Sequence, residues 1–135
     1  MCNEPNSNGQ HPRKRAISDL KKFLQQEIEM GHEAILLIDM NEKVTRRNGL
    51  AETIEKEFNM SNIGFHHEKK EIPTYKQGSD QIDTIMASND IIPYITQRGI
   101  LKFDKLCFSD HSALFIDIDL RRYIKRRIEQ MKTVS

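Results

Sequence analysis

Three short acidic signatures carry the chemistry of this chain: Asp39-Met40-Asn41, Gln81-Ile82-Asp83 and Ser109-Asp110-His111. The last sits between two strand-like runs and places a carboxylate that hard cations seek beside an imidazole able to touch phosphate. In an extended turn residues i and i+2 project the same way, so Asp39 and Asn41 are expected to face one phosphate. The carboxylate would take a proton from water while the Asn amide donates to a phosphoryl oxygen. The same Asp-x-Asn spacing after a strand is also ordinary turn chemistry, so it gains meaning only beside the other two. Asp83 interrupts the apolar run Ile82-Asp83-Thr84-Ile85-Met86, where alternation sets it on the side of Ile85. A carboxylate on a partly apolar face is expected to be paired, and His111 is the natural partner. Such an Asp fixes the imidazole tautomer and raises its basicity, which leaves Asp110 to bind a divalent metal. Read in order, the three signatures point to metal-assisted cleavage of phosphate esters.

Strands and turns must hold these groups. Ile17, Leu20, Leu24 and Ile28 recur at three- and four-residue spacing, with Phe23 widening the stripe, and predict an amphipathic helix over 13–30 that Gly31 ends. Residues 34–38 form a continuous apolar run, read as a strand covered on both faces. Asp39 follows it directly, where open α/β sheets gather their ligands. Leu50, Ile54 and Phe58 align on a second helix over 49–58. Residues 73–75 and 81–87 flank a hairpin connection at 76–80, in which Gly78 would supply an unusual backbone angle. Pro93 makes 89–97 an irregular or short helical connection. Residues 98–105 and 112–119 read as strands, and 120–131 as a helix with Leu120, Ile124 and Ile128 on one stripe. The first 12 residues are turn chemistry.

A length of 135 residues fits one domain able to bury about two thirds of its unfolded surface. With 37% hydrophobic and 30% charged residues the chain belongs to the soluble globular class. A net charge of +1 argues against wholesale adsorption to polyanions, so any nucleic-acid contact must use local patches. One such patch is 121–127, where five of seven residues are basic; it reads either as a solvated helix face or as a nucleic-acid or partner contact. Cys2 and Cys107 fit neither a zinc pattern nor a disulfide framework, and two free thiols in a reducing compartment are expected. No apolar stretch approaches the roughly 20 residues that span a bilayer, and the first 30 residues lack a signal-peptide core. An intracellular location, cytoplasmic or nuclear, without membrane contact, is the resulting expectation. His66 and His67, as strand neighbours, would point to opposite faces and cannot jointly hold one metal, while His11 and His32 border loops.

The ordered set, strand-Asp-x-Asn, then Pro-Thr-Tyr, Gly-Ser and Ile-Asp, then Ser-Asp-His before a final strand, resembles the endonuclease/exonuclease/phosphatase superfamily with its DNase-like fold. Ile38-Asp39-Met40-Asn41 is similar to its Gly-Asp-Phe-Asn segment, with Ile and Met in place of Gly and Phe. Thr74-Tyr75 is similar to its Thr-Trp or Thr-Tyr pair, Ile82-Asp83 to its Ile-Asp-Tyr strand, and Ser109-Asp110-His111 matches its closing motif unchanged. The phrases Gly78-Ser79 to Ile82-Asp83 and 109–115 look most like endonuclease domains of retrotransposon-type polyproteins.

The resemblance implies an α+β fold: the C-terminal half of a DNase-like four-layer β-sandwich, with one mixed sheet and flanking helices over 1–119, and a basic helix and tail over 120–135. It implies a divalent-metal-dependent phosphoesterase, foremost a DNA endonuclease that hydrolyses phosphodiester bonds with magnesium or manganese. Asp39 would orient or deprotonate the attacking water, Asn41 and Thr74 would hold substrate, Asp83 would pair with His111 on the phosphate, and Asp110 would belong to the metal site. Two departures qualify this. The superfamily's early strands carry an Asn and a metal-binding Glu, and the chain is expected to begin after them; Glu42 is the nearest local substitute by sequence. Asn3 falls where relatives carry a Tyr or His. The chain alone is therefore expected to be weakly active or inactive, to self-associate or to bind a complementing N-terminal half. The alternative is a non-catalytic remnant or interaction module of the same lineage.

Overall fold

The computed structural model describes residues 11–64, 71–101 and 109–133. The chain divides into two compact units, Met1–Ala34 and Ile35–Ser135. The expectations for Cys2, Asn3, His66, His67, Cys107 and the last part of the strand at 98–105 lie outside the described residues.

The first unit contains helix α1 (Pro12–Glu29). His11 caps it, its imidazole Nδ1 accepting the Arg13 N–H at 3.3 Å, and Pro12 occupies the first helical position, where a missing N–H costs nothing. Gly31 ends the helix with φ of 77°, a conformation that suits a residue without a Cβ. Its N–H bonds to the Ile28 carbonyl and the His32 N–H bonds back to the Glu27 carbonyl, both at 2.9 Å, closing a Schellman motif. His32 also pairs with the Glu27 carboxylate at 2.6 Å.

The second unit is mixed α+β. Strands β1 (Ile35–Asp39), β2 (Met60–Asn62) and β3 (Asp83–Ser88) form an antiparallel sheet in the order β1-β3-β2. Strands β4 (Ile95–Leu101) and β5 (Ala113–Ile118) form a second, two-stranded antiparallel sheet. One mixed sheet was the expectation, and the described residues show instead two sheets with antiparallel pairing throughout. The reason is that β5 spends its backbone hydrogen bonds on β4 and meets the first sheet through side chains. Leu114 and Ile116 of β5, with Ile95 of β4, pack on Ile63, Ile85, Ala87 and Ile91. The β4–β5 ladder is irregular between Ile95 and Gln97 and then runs in register to Leu101 opposite Ala113. Strand β4 starts directly after a 3₁₀ turn at Ile92–Tyr94, three residues sooner than expected, because Pro93 is accommodated inside that turn.

Helix α2 (Leu50–Phe58) buries Leu50, Ala51, Ile54 and Phe58, the face its spacing predicts. Each large apolar side chain there contributes about 1.5–3 kcal/mol. Asn59 closes the helix in the left-handed conformation, with φ of 50°. Strand β3 is buried along its whole length, whereas β1 is only half covered, with Leu37 55% exposed. The burial of both faces expected of residues 34–38 is therefore not met by β1; the strand buried throughout is β3. Gly64 lies so close to β3 that a Cβ there would stand 2.1 Å from Thr84 Oγ1 and 2.8 Å from the Ile85 nitrogen. Helix α3 (Leu120–Thr133) has no buried residue; Tyr123 rests edge-on against Tyr94, and the Arg122 and Arg126 guanidinium groups lie over the Tyr94 ring. Among the described residues no helix is long and apolar enough to cross a membrane.

Candidate active site

The β1–β3 register sets Asp39 directly opposite Asp83. Opposed residues of an antiparallel pair share a face, so two carboxylates meet at one end of the sheet, an arrangement that repels unless positive charge joins it. His111, an imidazole able to carry that charge, stands beside both. Its Nδ1 lies 2.8 Å from Asp83 Oδ2, and ligand atoms of Asp39, Asp83 and His111 all fall within 4.8 Å of one another. The Asp83 hydrogen bond raises the His111 pKa above its ordinary value; burial opposes this, and the charges of Asp83, Asp39 and Asp110 add to it. With Asp83 as acceptor, Nδ1 carries a proton and Nε2 is left to face outward. Asp110 stands at the rim, its Oδ1 4.0 Å from that Nε2 and its side chain 58% exposed.

The chain around this cluster is built to hold it. The segment 74–76 pairs with 110–112: the Ser112 N–H donates to the Thr74 carbonyl at 2.8 Å and the Lys76 N–H to the Asp110 carbonyl at 2.7 Å. Between them Tyr75 bridges His111, with ring centroids 5.1 Å apart. The Ser109 hydroxyl accepts the His111 N–H at 3.1 Å, so the Ser of the tripeptide braces the backbone of the His. Asp39 Oδ1 accepts the Asn41 N–H at 2.7 Å.

Asp39, Asp83, Asp110 and His111 are thus brought together. Asn41 arrives differently from the expectation: its φ of 50° is left-handed, so the turn is an Asx-turn closed on Asp39, and the extended i, i+2 argument does not apply. Thr74 is corrected more sharply. Expected to touch substrate, it is fully buried, and its hydroxyl accepts the N–H groups of Ile82 and Asp83, each at 3.0 Å. It braces the strand that carries Asp83. Gly78 is also corrected: the turn closes through its N–H on the Tyr75 carbonyl at 3.1 Å without a positive φ. Glu42, the nearest substitute by sequence, is engaged elsewhere: it accepts the Leu50 N–H at 2.7 Å and pairs with Arg46 at 3.0 Å, anchoring the start of α2.

Two supporting residues, Gln81 and Tyr75, join the site with no individual role expected of them. Gln81 is fully buried; its amide donates to the Gly64 and Asp83 carbonyls and accepts the Ile72 N–H, tying three segments together behind Asp83. Tyr75 was only part of a matching dipeptide. The signal for Gln81 was its place directly before a paired Asp on a buried strand, where any polar side chain must find partners. Comparison of the chain with protein-family models, with curated proteins and with solved structures returns no match.

Proposed function

We propose that the chain carries the reaction centre of a divalent-metal-dependent phosphoesterase acting on phosphodiester bonds of nucleic acid, DNA foremost. Its fold would be the C-terminal half of a DNase-like four-layer sandwich. The observation that supports this reading is the Asp83–His111 pair with Asp39 beside it and Asp110 at its rim. Asp83 holds the imidazole so that Nε2 donates to a non-bridging phosphate oxygen. Asp39, steadied on one oxygen by the Asn41 N–H, orients water and accepts its proton. In this reading the Asn41 amide donates to the phosphoryl group. Water adds to phosphorus, the P–O bond to the leaving nucleoside oxygen breaks, and that oxygen takes a proton from solvent.

The donor chemistry fits magnesium or manganese. Asp39 and Asp110 offer hard oxygens, and magnesium binds through one or two carboxylates plus substrate phosphate, keeping several waters. Bound there, such an ion supplies charge neutralisation for the phosphoryl oxygens.

Hydrolysis of the activated diester bis(p-nitrophenyl) phosphate, at high protein concentration with manganese, tests the reading. Slow turnover that a chelator abolishes, and that falls about a hundredfold or more in His111→Ala and Asp39→Asn, is expected. Turnover indifferent to these changes contradicts it. A second reading, a non-catalytic interaction module, draws on the commitment of Glu42 to helix α2, which leaves few carboxylates for a metal. A complete absence of turnover favours that reading.

A further inference from the structure

We propose that Tyr75 is a positioning residue for the Asp83–His111 pair: its ring lies against the His111 imidazole and keeps Nδ1 turned to Asp83. The functional consequence rests on the phosphoesterase reading; the geometry does not.

Backbone and side chain agree on this role. Tyr75 and His111 are direct partners in an antiparallel bridge, bracketed by the Ser112 to Thr74 and Lys76 to Asp110 hydrogen bonds. Direct partners place their side chains on one face, within reach of each other. The rings meet with centroids 5.1 Å apart and planes inclined by 41°, inside the range in which aromatic pairs attract. A single hydrogen bond at Nδ1 leaves the imidazole able to swing about its Cβ–Cγ bond, and a ring packed on its flank closes that freedom. A tyrosine face also favours the charged imidazolium over an aliphatic surface.

The same segment holds both halves of the pair. Thr74 grips the Asp83 N–H with its hydroxyl, and alternation turns the next side chain, Tyr75, to His111. The Tyr75 hydroxyl donates to Gln77 Oε1 at 3.2 Å, within its own turn, so the ring is what acts on His111. The turn fits closely beneath it: a Cβ at Gly78 would come within 3.4 Å of Tyr75 Cδ1.

Substitution at Tyr75 in the full chain, read by proton NMR of the His111 Nδ1–H, tests the inference. Tyr75→Phe keeps the aromatic face, whereas Tyr75→Leu keeps bulk without it; Tyr75→Met is the second non-aromatic variant if Leu does not fold. Solvent exchange of the Nδ1 proton should stay at the wild-type rate in Phe and rise about fivefold in Leu or Met, at unchanged Tm. Diester turnover should fall by the same factor in kcat with KM unchanged. Exchange in the folded Leu or Met variant equal to that in Phe overturns the proposal. A protein with no turnover but with the predicted exchange pattern defeats the phosphoesterase reading and leaves the positioning role standing.

Discussion

Two carboxylates opposed across a ladder, Asp39 and Asp83, make His111 the group on which the cluster depends. Its pKa lies above 6.5, first because of the Asp83 hydrogen bond. A group raised on folding contributes stability in full below its unfolded pKa and loses it as pH climbs through the folded value. Stability of the wild-type chain should therefore decline as pH climbs from the ordinary histidine value through the raised His111 value, and His111→Gln should flatten that decline, measured by urea unfolding at each pH. Asp83→Asn should return the His111 titration, followed by NMR, towards its ordinary value; an unchanged midpoint would show that Asp83 is not the cause. Thr74→Val removes the acceptor of one buried and one part-buried N–H group and should cost about 2 kcal/mol or more, with Thr74→Ser restoring most of it, again by urea unfolding. The meeting of Asp39, Asp83 and His111 was legible because each residue ends a strand or interrupts one. The role of Thr74 was not, because a hydroxyl that binds substrate and one that braces backbone have the same sequence.

Elements with strong local signals came through closely. Helix α2 has Leu50, Ile54 and Phe58 at four-residue spacing and buries all three, and α1 ends one residue before its predicted boundary, at the Met30 cap ahead of Gly31. Pairing did not come through. Whether β5 joins β3 or β4 depends on long-range partners that no local pattern encodes. The three residues of β2, Met60–Asn62, carry no alternation long enough to be recognised as a strand. The close approach of Gly64 to β3 was equally invisible, since it depends on chain segments about 20 positions apart. It yields a firm expectation: Gly64→Ala must push a methyl into Thr84 and the Ile85 backbone. A loss of about 3 kcal/mol is predicted, visible as a lower urea midpoint at unchanged slope; a neutral substitution would mean that the Gly64 segment does not lie against β3.

At the scale of the whole molecule, the expected self-association calls for exposed apolar surface, which the β3 face bearing Ile85 does not offer. Ile85 proves to be buried beneath β5 side chains. Among the described residues, the large exposed apolar groups of the second unit lie at Leu37, at Leu101 and along α3, where Leu120, Ile124, Ile128 and Met131 form a stripe. Arg121, Lys125, Arg127 and Lys132 share that helix with a single carboxylate, Glu129, so like charge opposes its pairing with a second copy at low salt. Hydrophobic-dye binding and salt-promoted association are expected, and Ile124→Ser with Ile128→Ser should diminish both while leaving Tm within about 2 °C. Dye binding that survives the double substitution would place the sticky surface elsewhere. The central claim, one site where metal and phosphate meet on Asp39, Asp83, Asp110 and His111, is tested most directly by manganese titration followed by NMR. The account predicts that paramagnetic broadening appears first at the His111 ring and the side chains of Asp39 and Asp110, and weakens in Asp110→Ala. Broadening spread evenly over the acidic surface, or centred on residues away from this cluster, would contradict it.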